Sequence, residues 1–118
     1  MIRIFYSLLF LATLFSVSYF IFEPTYLYYE LPWLDIPMHI LGGMGVGALA
    51  SAMMLYRDKK VSLAHMVAFF AVIACAWEVY EYARGVVEYD EVSDYVDTVA
   101  DTINGLLGVL AAYSFVKK

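Results

Sequence analysis

Charge is scarce in this chain: 16% of its 118 residues are Asp, Glu, Lys or Arg, where a soluble domain carries about 25%. The shortage is regional. Residues 4–22 hold no charged side chain, 36–56 offer only His39, 61–77 only His65, and between Val99 and Val116 the sole charge is Asp101. Cysteine is scarcer still: Cys75 stands alone, so no intrachain disulfide forms and the redox compartment is not encoded. Linkers, low-complexity stretches and internal repeats are missing, which predicts a single domain over 1–118. No basic face of useful size exists, which excludes nucleic acid as a partner. The first apolar run is longer than the h-region of a signal peptide, and no A-x-A site follows it. It is therefore read as a span.

What is present is apolar, 64% of the chain, in four runs. Crossing a hydrocarbon core of about 30 Å takes about 20 largely apolar residues. The runs predict an all-α integral membrane four-helix bundle, antiparallel and up-down, with spans near 4–22, 36–56, 61–83 and 95–116. Arg3, Arg57, Lys59, Lys60, Lys117 and Lys118 fall at the N-terminus, the second connection and the C-terminus. By the positive-inside rule both termini are cytoplasmic, in a multi-pass protein of the cell (inner) membrane. All acids except Asp58 then belong to the outer side, residues 85–93 included, with Arg84 the one base among them. The aromatic first connection (Tyr26, Tyr28, Tyr29, Trp33) suits the membrane interface.

Small residues suggest which faces meet. Gly43, Gly47 and Ser51 follow His39 at intervals of four, and Gly105, Gly108 and Ala112 follow Asp101 and Asn104. Such stripes let helix backbones approach closely in lipid, so the polar residues sharing them point into the bundle. "GMGVGA" at 43–48 matches a dinucleotide-binding pattern in letters only: no strand precedes it and it lies in a span.

The polar residues gather at one depth. Asp35 and His39 are one turn apart, Glu78 and Glu81 are three residues apart, and Asp94, Asp97, Asp101 and Asn104 step by 3, 4 and 3 along one face. Crowded carboxylates in a membrane need protons, a basic partner or a metal cation. The metal reading assigns His39, Glu78, Glu81, Asp97 and Asp101 as ligands of a divalent metal. Asp35, Arg84, Asp94 and Asn104 then support the site or touch substrate. One imidazole with several carboxylates suits Zn, Mn, Fe, Mg or Ca, and the spacing selects none of them. A di-iron bundle would want two Glu-x-x-His motifs, and only Glu-x-x-Glu occurs here. The other reading is structural: these residues cap and cross-link helices, with Asp35 as the N-cap of span two and Asp94 of span four. Glu88, Asp90 and Glu91 read as a solvated loop, and His65 as an interfacial or packing residue.

"DIPMHILGG", "WEVYEYAR" and "DYVDTVADTINGLLG" together resemble the VanZ-like family and the similar YjdF-like inner-membrane proteins, over roughly residues 35–108. The resemblance implies matching positions at His39, Glu81, Arg84, Asp101, Asn104 and Gly108, with Glu78–Glu81 nearer the YjdF-like version. It implies a polytopic membrane protein at the cell envelope and supplies no reaction. Three functions follow as expectations. One is a metal-dependent hydrolase or transferase, or a sensor, acting on an envelope lipid or lipid-linked group, with Arg84 as its anion donor. Another is a non-enzymatic accessory subunit or assembly factor, as a homo-oligomer or in a larger membrane complex. The third is a small proton or cation carrier, against which stands the lack of a second polar cluster toward the cytoplasm.

Overall fold

In a computed structural model of the chain, residues 1–85 and 91–117 are described, residues 91–94 by their backbone alone. The expectations placed on Glu88 and Asp90, and on the side chains of Glu91 and Asp94, lie outside the described residues.

Long apolar runs with few prolines form helices here, and no strand occurs among the described residues. α1 (Ile2–Val17) runs on into a π-helical turn, Ser18–Phe22. A short α2 (Leu27–Glu30) and a 3₁₀ turn (Pro32–Leu34) lead to α3 (Asp35–Tyr56), followed by α4 (Leu63–Arg84) and α5 (Glu91–Lys117). Four stretches are long and apolar enough to cross a membrane: Ile2–Phe22, Pro32–Tyr56, Leu63–Arg84 and Tyr95–Lys117. The second begins earlier than expected because the 3₁₀ turn feeds straight into α3. Leu34 and Asp35 already have right-handed helical backbones. Asp35 is therefore not an N-cap, which needs a non-helical backbone. It sits in the first turn, with its carboxylate free to meet another side chain. The backbone of Asp94 likewise lies within α5, which already includes Glu91.

Several hydroxyls inside the spans are satisfied locally. Ser7, Thr13, Ser16, Thr102 and Ser114 each donate to the backbone carbonyl four residues earlier, so none presents an unpaired hydroxyl to lipid. α4 stops at Gly85, whose φ of +67° is the left-handed conformation of a helix C-cap.

α3 and α5 make the most extensive helix pair, and glycine allows it. A Cβ on Gly43 would strike the Gly105 carbonyl, and one on Gly108 would strike the Ile40 carbonyl. At Gly47 the contact is looser, with the Ala112 methyl 3.0 Å from where a Cβ would stand. The two backbones thus touch along steps of about four residues, 43 with 105 and 47 with Val109 and Ala112. α4 closes the core from one side: Met66 and Phe70 pack with Val46, Ala50, Val109 and Ala112, and the Phe70 ring lies over Gly105. The outer faces stay apolar, with Phe5, Phe20, Val72, Val79 and Phe115 all exposed. Lipid is the solvent such a surface requires.

Candidate metal centre

One helical turn before the Gly43–Gly105 contact, the same two helices present His39 and Asp101. Their backbones are already pressed together, so the side chains meet: His39 Nε2 lies 3.3 Å from Asp101 Oδ2. The same nitrogen lies 3.3 Å from Asp35 Oδ1, one turn back along α3. Asp101 is 8% exposed, the one carboxylate in the buried set of the described residues. α4 brings a second group. Glu78, Glu81 and Asp101 place donor atoms within 4.8 Å of one another, as do Asp35, His39 and Asp101. Asp101 is common to both. Three helices therefore contribute, and the pivot is the buried aspartate.

Around these groups stand residues that spacing alone did not single out. Thr98 Oγ1 donates to Glu78 Oε2 at 2.9 Å. Thr98 lies three residues before Asp101 on the aspartate stripe, and only its lack of charge hid it. The Trp77 indole nitrogen is buried with no hydrogen-bond partner among the described residues. Glu81, one turn on, is its neighbour at a geometry short of a hydrogen bond. Tyr28, in α2, shares a 2.8 Å hydrogen bond with Ser18 of the π-helical turn, and burial lifts its phenol above the usual range, against the pull of that bond.

The other expected residues fall elsewhere. Asp97 is exposed, one turn before Asp101, and enters neither group. Asn104 is half-buried. His65 is exposed near the start of α4. Arg84 stands apart from both groups: its Nη2 is 2.9 Å from Glu23 Oε2, and its guanidinium lies over the rings of Tyr19 and Tyr80, 4.7 and 5.7 Å from their centroids. This pairing ties α4 to the turn that ends α1. Nothing in the spacing of Glu23, 61 residues away, announced it.

Each trio could hold a divalent cation. Ligands about 2.0–2.1 Å from a tetrahedral metal stand about 3.3 Å from each other, the separation at which His39 meets both aspartates.

Four apolar spans around an intramembrane His/carboxylate cluster define a small polytopic membrane protein. The chain belongs to the family described as "Predicted membrane protein (DUF2238)", whose model matches residues 2–118. No curated protein and no solved structure matches it.

Proposed function

We propose that the chain is an up-down bundle with both termini cytoplasmic, whose His/carboxylate cluster binds a divalent cation near the outer face of the inner membrane. Through that cation it engages the anionic headgroup of an envelope lipid or lipid-linked component. The observation that carries the reading is Asp101. A buried carboxylate within a span, crowded by Asp35, Glu78 and Glu81, needs a proton, a basic partner or a metal cation, and Arg84 is engaged by Glu23. His39 supplies at most one charge among four carboxylates. The up-down arrangement is supported by the contact pairs: Leu11 and Phe10 lie near Gly45 while Leu14 lies near Gly42, and Phe70 meets Gly105 while Glu78 meets Thr98. The resemblance of the three motifs to VanZ-like and YjdF-like proteins supports an envelope role.

A cation held there supplies Lewis acidity toward a phosphoryl or carboxyl oxygen. The protein's own part is to hold the donors. The glycine seam fixes His39 against Asp101, and Thr98 orients Glu78. A second reading rests on the two His39 contacts themselves: a protonated His39 between Asp35 and Asp101 would cross-link α3 to α5 without metal, as an assembly factor or accessory subunit requires.

Elemental analysis of detergent-purified protein separates the two. The metal reading expects at least stoichiometric divalent metal, lowered by Asp101→Asn and unchanged by His65→Ala. A chelator should lower the melting temperature, since a ligand at 100 times its Kd stabilises the folded form by about 2.7 kcal/mol. Metal-free protein with no chelator effect would leave the cross-link. In nanodiscs of anionic phospholipid, native mass spectrometry should show lipid retained by the loaded protein and shed after chelation.

A further inference from the structure

The hydroxyls of α5 find partners within the chain. Thr102 and Ser114 donate to carbonyls of their own helix, and Thr98 donates across to Glu78 of α4. The Asn104 amide, by contrast, makes no hydrogen bond among the described residues. Asn104 is half-buried, but its amide is not enclosed. Among the described residues, the one fully enclosed side-chain atom without a partner is the Trp77 indole nitrogen. The amide therefore reaches the outer surface of the bundle.

Depth makes that position costly. Asn104 lies nine residues beyond Tyr95, near the middle of the span Tyr95–Lys117. That is roughly 14 Å along the helix, about half the thickness of a hydrocarbon core of about 30 Å. Water does not serve donors or acceptors there, and an unpaired amide facing hydrocarbon is unfavourable. From this we infer that Asn104 pairs with its counterpart in a second copy of the chain, forming a homodimer through the outer face of α5.

Two features select a copy over any other partner. A carboxamide carries both donors and an acceptor, so it is complementary to itself. Copies of one chain also insert in the same orientation and hold Asn104 at the same depth. A two-fold axis along the membrane normal then sets the two amides against each other. The surrounding face leaves room for the approach. Ala100, one turn before Asn104, is exposed, and Ala111, two turns after it, is half-buried. Steps of 4 and 7 keep both on the Asn104 face, and side chains this small let helices draw close in lipid. Leu107 and Phe115, both exposed, flank them. Asp97 lies on the same face two turns toward the membrane surface and is exposed. Helices that cross at Asn104 diverge toward that level, which keeps the two aspartates apart. The contact needs no ion, and it holds or fails apart from the metal reading.

Energy transfer between copies tests it. The full-length chain, labelled with donor or acceptor dye at Lys59→Cys in a Cys75→Ser background, is placed in phosphatidylethanolamine–phosphatidylglycerol vesicles. Transfer should fall as the protein is diluted with lipid. Asn104→Val should move the midpoint about tenfold toward denser protein. Asn104→Gln, which keeps an amide, should move it less. In the Cys75→Ser background, Ala100→Cys should form a disulfide-linked dimer on copper–phenanthroline oxidation. Val72→Cys, at an exposed position on α4, should not. The cross-linking arm keeps Asn104 in place, so it does not depend on whether Asn104→Val folds. Absence of transfer at every density, an unmoved midpoint in folded Asn104→Val, or cross-linking through Val72→Cys alone overturns the α5 dimer.

Discussion

Arg84 and Asp101 sit toward the same end of the molecule and have different surroundings. Arg84 is a surface residue held by Glu23 and two tyrosine rings, whereas Asp101 is buried against His39. Exposed ion pairs contribute little in water, so Arg84→Lys should cost little stability. Lysine keeps the charge yet loses the flat stacking of guanidinium on Tyr19. A double-mutant cycle with Glu23→Gln, read by melting temperature, should therefore show weak coupling; strong coupling would make the pair a main tie between α1 and α4. At Asp101 the order reverses. Under the metal reading proposed above, removing the pivot should have a larger effect than removing Asp97, so Asp97→Asn should retain divalent metal that Asp101→Asn loses. The polar stripe was legible from its spacing of 3, 4 and 3, but spacing marks a helix face and not depth. It could not say that Asp97 ends exposed while Asp101 is covered, because that depends on where α3 crosses α5.

Between elements, the glycines separate close approach from mere smallness. Gly42 and Gly43 are neighbours in sequence, yet a Cβ on Gly42 finds nothing nearer than 4.0 Å, while one on Gly43 meets the backbone of α5. Gly42→Ala should leave the melting temperature nearly unchanged. Gly43→Ala and Gly108→Ala should each destabilise toward the upper end of the roughly 1–3 kcal/mol seen for overpacking, since a backbone cannot swing aside. Gly45→Ala falls between, because Leu11 and Phe10 meet it with side chains. Equal effects at positions 42 and 43 would place the α3–α5 contact on another face. The stripe at Gly43, Gly47, Gly105 and Gly108 was readable from its steps of four and three residues. Gly45 was not, because it belongs to the side facing α1. The expected cap at Asp35 failed for a related reason: Pro32 starts a 3₁₀ turn, and the helix was under way before the aspartate arrived.

For the molecule as a whole, four apolar stretches were plain from composition, because the period of charge in the chain matches the thickness of a bilayer. Which helices pair most closely was not plain, since chain order brings α3 beside α4 while the glycine seam joins α3 to α5. Orientation is tested from outside. Tyr29 is 85% exposed in the first connection; in a Cys75→Ser background, Tyr29→Cys should react with an impermeant maleimide on intact cells, and Lys59→Cys only after lysis. The reverse pattern would turn the cluster toward the cytoplasm. The seam also bears on biogenesis. α3 is synthesised two spans before α5, so after leaving the insertion machinery it must wait, with Gly43 and Gly47 lacking their main partner and His39 lacking Asp101. The nascent chain therefore passes through a stage in which three spans are in lipid and the tightest contact has not formed. That stage is where a membrane chaperone or quality-control protease would find its substrate.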